Sequence, residues 1–262
     1  MINSNKLYKK IIFLAKYLSI LTKEILFPEK CLGCGTIYEK RYLPYLCQNC
    51  FNQIKIHSFP FCPVCRRKLP FYINRRTKEI YLPSCYHQGK NQISWLGTAT
   101  DYNNSLIQKL LKAYKYQFIK EISLTLSAIL AKYLIESELE KIIKKEWLII
   151  PIPLHPRRER WRGFNQSELI ASLLAEKFNL TLRKDILFRK KPTKEQAGLT
   201  LKEREENIKD AFEVKKEVKN KKIILLDDVY TSGLTVKEAA KVLKKAGAKK
   251  IACLTVALKI SQ

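Results

Sequence analysis

The spacing of apolar residues divides this chain into three stretches. In the first, Leu7, Ile11, Leu14, Leu18, Leu21 and Ile25 recur in alternating steps of four and three. That period places them on one face of a helix over 6–27, which Pro28 ends. Lys9, Lys10, Lys16 and Lys23 lie off the stripe. A basic amphipathic helix of this kind packs on its own protein, docks on a partner or lies on a membrane surface. No run approaches the length that spans a bilayer; the longest early one, Ile11–Ala15, is broken by Lys16. The second stretch, 29–90, has no sustained period. From 91 onward short apolar runs alternate with helical spacing. Strands are predicted at Trp95–Tyr102, Trp147–Ile152, Ile223–Leu226 and Ile251–Leu258, with another strand and the approach to it over 179–187. Helices are predicted at Ser105–Tyr114 and Ile119–Ser137, for about three turns after Asn165, and at Val236–Ala246, stopped by Gly247. Residues 138–146 read as a charged connection. Ile223–Leu226 shows no polar alternation, as expected of a parallel strand covered on both faces. The alternation of strands and helices predicts an α/β fold with a mainly parallel, doubly wound sheet.

Cysteine explains the middle stretch. Seven of the eight cysteines fall between Cys31 and Cys85. Cys31-x2-Cys34 and Cys47-x2-Cys50 are two thiolate pairs that can close one tetrahedral zinc site, with Gly33 and Gly35 freeing the turns. Cys62-x2-Cys65 begins a second set, completed by Cys85 and His87. That Cys/His combination is acceptable to zinc, although Cys85 and His87 also read as a buried thiol and a surface imidazole. No signal-peptide pattern is visible, which favours a cytosolic metal module over a secreted disulfide framework. Both metals read as structural and supply folding energy to a segment too small for its own core.

Charge adds a second theme. The formal net charge is +26. Residues 1–90 carry net +12 and residues 91–262 net +14, so the first third is the more basic per residue. Such a surplus attracts polyanions, or it is scattered lysine on solvated faces. Within 29–90, aromatic residues such as Tyr38, Phe51, Phe61 and Tyr72 interleave with Arg41, Lys55, Arg66, Arg67, Arg75 and Arg76. The rings are either stacking faces for single-stranded nucleic acid or the core of a small zinc fold.

Two strand ends carry the candidate chemistry. After Ile223–Leu226 come Asp227 and Asp228, then Thr231, Ser232, Gly233 and Thr235 at a helix start. Open α/β sheets bind ligands at the carboxyl ends of strands, and small hydroxyls with outward backbone N–H groups can wrap a phosphate monoester. The carboxylates would then accept from sugar hydroxyls or hold a metal. The plainer alternative is an ordinary turn with capping residues. After Trp147–Ile152, Pro151, Pro153 and Pro156 are read as forbidding a helix. Arg157, Arg158, Arg160 and Arg162 follow in a rigid loop suited to a diphosphate, because guanidinium groups bind its oxygens in forked pairs. His155 beside the prolines reads as structural.

The order Ile-Ile-Leu-Leu-Asp-Asp-x2-Thr-Ser-Gly-x-Thr resembles the ribose-5-phosphate loop of type I phosphoribosyltransferases, which bind 5-phosphoribosyl 1-diphosphate (PRPP). With Leu-His-Pro-Arg-Arg, Arg-Gly-Phe-Asn-Gln and the cysteine pairs, the whole chain is identified as a member of the ComF family of competence-associated proteins. The resemblance implies an N-terminal helix (1–28), a double zinc-ribbon module (29–90) and a phosphoribosyltransferase-like domain (91–262). It implies PRPP with Mg²⁺, the sugar held by Asp227 and Asp228, the 5-phosphate by Thr231, Ser232, Gly233, Leu234 and Thr235, and the diphosphate by the arginine loop with His155 in its framework. The two aspartates would be catalytic, one of them as a base. Over Arg189–Phe212 it implies a mobile loop in which Lys190, Lys191, Lys194 and Arg204 reach the leaving group, with Gln196 and Asn207 in support; the alternative is a long surface loop followed by an amphipathic helix. The family pattern leads one to expect another cysteine pair where Cys85 and His87 stand. Lys115-Tyr116 matches a Lys-Tyr position common in the family, to which no role is given. The biology implied is natural transformation, with single-stranded DNA and the uptake helicase or other competence machinery as partners, in the cytoplasm or against the inner face of the membrane. Two functions are compatible with this: a phosphoribosyltransferase, or a non-catalytic single-stranded-DNA-binding factor in which PRPP is at most regulatory. No glutaminase nucleophile is visible, so an amidophosphoribosyltransferase is not expected.

Overall fold

The strand Lys222–Tyr230 shows why the sheet forms where it does. Its Ile223 and Leu225 pack into one core, and Ile224 and Leu226 into the other, all fully buried. Each such side chain contributes roughly 1.5–3 kcal/mol by leaving water. Among residues 29–38, 43–70, 72–73, 76, 80–81, 85–87, 92–192 and 200–259, which a computed structural model describes, the elements follow in order. They are α1 (Gln48–Asn52), β1 (Tyr72–Ile73), β2 (Ile80–Tyr81), β3 (Leu96–Asp101), α2 (Ser105–Tyr116) and α3 (Ile122–Glu136). A 3-10 turn, Leu139–Lys141, precedes β4 (Trp147–Pro151), α4 (Pro156–Arg162), α5 (Gln166–Lys177), β5 (Thr181–Leu182) and β6 (Leu187–Arg189). Then come α6 (Leu201–Ile208), β7 (Phe212–Val214), β8 (Lys222–Tyr230), α7 (Leu234–Lys245) and β9 (Lys250–Leu258). The helix expected over 6–27 lies outside the described residues, as do Arg41, Arg75, Lys194 and Gln196.

The main sheet has five strands in the order β3-β9-β8-β4-β5, and every pairing in it is parallel. Two small antiparallel pairs, β1-β2 and β6-β7, stand apart from it. Helices α3 and α5 contribute Leu126, Ile129, Leu130, Ile170 and Leu174 to one core, and α7 contributes Val236, Ala239, Ala240 and Leu243 to the other. The sheet is therefore doubly wound, as expected. From β4 the chain moves outward to β5, whereas from β8 it moves the other way to β9. The order reverses between β4 and β8, and a crevice opens beyond their carboxyl ends.

Two expectations need correction. Pro156 does not forbid a helix; it begins α4. At the first helical position proline's missing N–H costs nothing. His155 Nδ1 caps the turn by accepting from Arg157 N–H at 3.3 Å, and Gly163 ends the helix at φ 78°. The arginine segment is thus a two-turn helix, not a loop. The strand expected over 179–187 is two short pieces, β5 and β6. The polar stretch after Arg189 contains the helix of the alternative reading, α6, which opens with a reciprocal Thr200–Glu203 cap, and β6 pairs with β7 beyond it.

The two cysteine-rich turns share one core, to which Cys31 and Cys62 both belong, but they are anchored differently. The first packs on α3, where Thr125 Oγ1 donates to Pro44 O at 2.6 Å. The second joins the sheet: Phe61 N–H donates to Leu96 O at 2.7 Å and Leu96 N–H returns to Phe61 O at 2.9 Å. Phe61 there belongs to the α7 core. Gly35 has φ 77°, the turn freedom expected; Gly33 is needed for closeness, since a Cβ there would lie 2.6 Å from Cys50 Sγ. Among the described residues no helix is long and apolar enough to cross a membrane.

Candidate functional site

A cleft of about 300 Å³ lies at the β4/β8 crevice. Its floor is the end of β8. Asp227 Oδ1 accepts from Asp228 N–H at 2.9 Å and from Ser167 Oγ at 3.2 Å. Ser167 is in the first turn of α5, which Asn165 caps while tying itself to Ile152 O at 3.2 Å. Asp228 Oδ1 accepts from Lys115 Nζ, on the last turn of α2, at 2.8 Å. Burial and then the Asp228 charge push the Asp227 carboxyl up to about 7. Burial works against the Lys115 ammonium, but Asp228 and Asp227 outweigh it and hold its pKa above the ordinary value. The floor is a compact acid–acid–base set in which Asp227 is the group held near neutrality.

One wall is the turn from β8 into α7. Gly233 sits before the helix at φ 79°, and a Cβ there would fall 2.1 Å from Tyr230 Oη. Glycine is required twice over, by conformation and by space. No side chain caps α7 and no acid lies in its first turn, so its first N–H groups and dipole face a cleft also lined by Thr231, Gly233, Leu234 and Thr235. Ser232, in the same turn, is half-buried.

The opposite wall is cationic. Arg158 and Arg162, four apart on α4, line the cleft, whereas Arg157 and Arg160 are exposed and are not among its lining residues. A third guanidinium, Arg189 at the end of β6, joins them. It is buried, and burial followed by the charge of Arg158 pulls its pKa down to about 10. Gln166, also buried, faces the cleft with Nε2 lacking a hydrogen-bond partner among the described residues. Sequence reading missed Arg189, Gln166 and Ser167 and gave Lys115 no role. Lys190, Lys191 and Asn207 do not line the cleft.

The cysteines gather into two four-ligand sets, Cys31/Cys34/Cys47/Cys50 and Cys62/Cys65/Cys85/His87, each with its ligand atoms within 4.8 Å of one another. A tetrahedron with Zn–S of about 2.3 Å has S···S edges of about 3.8 Å. Cys34 Sγ and Cys47 Sγ are 3.8 Å apart, Cys65 Sγ and Cys85 Sγ 3.5 Å, and Cys62 Sγ and His87 Nδ1 3.9 Å. Both sets fit zinc. Thr36 draws the Cys34 thiol down to about 6, and the backbone of Arg67 with Cys85 does the same for Cys65. Four protein ligands leave no open position, which marks structural sites.

The aromatic residues of this module are spent largely on folding: Phe61 is in the core, and Tyr38 Oη donates to Leu43 O at 2.8 Å. Exposed rings instead flank the cleft. Trp161 is 60% exposed, Tyr116 53% and Phe118 37%, and the Phe118 and Trp161 rings meet edge-on at 5.0 Å.

Comparison with known proteins covers both regions. A family model described as double zinc ribbon domain matches residues 22–90, and one described as phosphoribosyl transferase domain matches residues 165–262. The chain is 32% identical over 214 residues to competence protein F of Haemophilus influenzae, covering 79% of this chain and 87% of that protein. It is 27% identical over 219 residues to the DNA utilization protein YhgH of Escherichia coli K12, covering 79% and 93%. It is 25% identical over 207 residues to competence protein ComFC of Bacillus subtilis, covering 77% and 79%.

Proposed function

This chain belongs to the competence protein F family, and on that premise we propose that its cleft binds PRPP, as a phosphoribosyltransferase-family protein associated with DNA uptake. One observation carries the reading: the Gly233 turn and the Arg158–Arg162–Arg189 group line a single cleft with Asp227 and Asp228 in its floor. The α7 N-terminus takes the 5-phosphate, the two aspartates accept from the ribose hydroxyls, and the guanidinium groups take the diphosphate. In transfer, the bond from C1 to the diphosphate oxygen breaks and the diphosphate leaves with the electron pair. An acceptor's lone pair forms the new bond at C1. The arginines stabilise the departing charge, and Asp227, with its pKa near 7, is suited to take the acceptor's proton. Two carboxylates beside a phosphate site are a suitable donor set for Mg²⁺, which would neutralise diphosphate charge when bound.

Titration of PRPP–Mg²⁺ into the native protein and into Asp227→Asn/Asp228→Asn tests this. Binding is expected in the first and a sharp loss in the second; equal binding would refute the role of the pair.

A second reading is favoured by the exposed Trp161–Phe118 pair beside Arg157 and Arg160. Exposed rings with cations alongside suit single-stranded DNA. In that reading the protein is a DNA-binding competence factor and PRPP is a regulatory ligand.

A further inference from the structure

The second cysteine set lies against the wall of the cleft through one stacked pair. Arg66 follows Cys65 and holds the left-handed backbone conformation, φ 61°, sparsely populated for a residue with a side chain. The turn is closed by Arg66 N–H to Cys62 O at 3.0 Å and by Cys62 N–H to Arg67 O at 2.8 Å. From this turn the guanidinium carbon sits 4.4 Å above the Tyr230 ring. Tyr230 Oη in turn faces Pro63 O, inside the same knuckle, at 3.5 Å. The ring is buried, ends β8 immediately before Thr231, and is the surface against which Gly233 turns, with room for no Cβ. Knuckle, ring and turn are therefore in series. The first cysteine set has a different footing, on α3 and α2, through Thr125 and by the approach of Gly33 to Leu106.

We propose that Arg66 is a positioning residue for the Gly233 turn, and that through Arg66 and Tyr230 the Cys62/Cys65/Cys85/His87 set braces the phosphate end of the cleft. The proposal rests on the PRPP reading above and assigns the second metal set a part in ligand binding beyond folding its own ribbon. Arg66 does not line the cleft, whereas Tyr230, on which it stacks, does. The diphosphate end, built from α4 and β6, lies off this path.

The two ends can be probed separately on the full chain by calorimetry, with ribose 5-phosphate for one and inorganic pyrophosphate for the other, zinc content being measured in each sample. In Arg66→Ala, zinc is retained, ribose 5-phosphate affinity falls about fivefold or more, as for loss of a partly desolvated cation–ring contact, and pyrophosphate affinity is unchanged. Arg66→Lys restores most of the loss, because an ammonium can also sit over the ring. Cys65→Ser, which removes a ligand of the second set, lowers zinc content and weakens ribose 5-phosphate binding in the same way, with pyrophosphate affinity unchanged. Ribose 5-phosphate binding unaffected in Arg66→Ala, or equal weakening of both probes, would overturn the proposal. Failure of the native protein to bind ribose 5-phosphate would instead overturn the PRPP reading, and this inference with it.

Discussion

Lys115 and Asp228 are 113 residues apart in the chain, yet their side chains meet at 2.8 Å in the floor of the cleft. The contact ties the end of α2 to the end of β8 and sets the charge that Asp227 experiences. Removing the cation leaves Asp228 nearly buried without its partner. Lys115→Met is expected to destabilise the fold by about 1–3 kcal/mol, below the full cost of breaking a buried pair because Lys115 is partly exposed. Urea denaturation measures this, and an unchanged midpoint would contradict it.

Asp227 makes stability depend on pH in a stated direction. Its native pKa of about 7 lies above its unfolded value near 4. Between those values the folded state binds more protons than the unfolded, so stability falls as pH rises from about 4 to about 7 and then levels off. Asp227→Asn should flatten that slope in denaturation curves taken across the range. An identical slope in the variant would exclude Asp227 as its source.

The cationic wall divides the arginines of α4. Arg158→Ala, Arg162→Ala and Arg189→Ala should each weaken pyrophosphate binding about tenfold or more, the scale of a lost charge-assisted hydrogen bond. Arg157→Ala and Arg160→Ala, whose side chains are exposed, should change it little. Calorimetric titration separates the two groups, and a reversed ranking would contradict the geometry.

For the exposed rings, Trp161→Ala is expected to lower affinity for a single-stranded oligonucleotide by about 1–3 kcal/mol, the worth of one stacked base. Binding that rests on Arg157 and Arg160 should weaken steeply with added salt. A fluorescence anisotropy series in salt reads both effects; oligonucleotide binding indifferent to Trp161 would remove these rings from the interface.

Metal analysis should find two zinc ions per chain, one for each four-ligand set. One zinc would leave one of the two sets without metal, and none in a folded protein would refute both.

Much of this was legible in residue order, because its causes are local. Unbroken apolar runs mark doubly covered strands, paired cysteines mark knuckles, and the Asp-Asp-x2-Thr-Ser-Gly order places carboxylates and a turn at one strand end. What stayed hidden depends on distant parts of the chain meeting. Lys115 acquires its role only when α2 ends above β8. Arg189 looks like one more cation before a basic stretch, and only the β6-β7 hairpin turns it into the cleft. Cys85 and His87, read from the sequence as completing the second set despite their irregular spacing, do lie beside Cys62 and Cys65, and only the fold decides this against the alternative of a buried thiol and a surface imidazole. The α4 helix was misread for a subtler reason: proline forbids a helix interior but favours its first position, and Pro156 occupies the latter.

The central claim is that one cleft grips an anionic sugar at both ends, and competition binding tests it most directly. Ribose 5-phosphate and pyrophosphate should bind together, each at its own end, while PRPP displaces both and binds more tightly than either. If PRPP leaves pyrophosphate bound, or fails to displace ribose 5-phosphate, the two walls do not serve one ligand and the account is wrong.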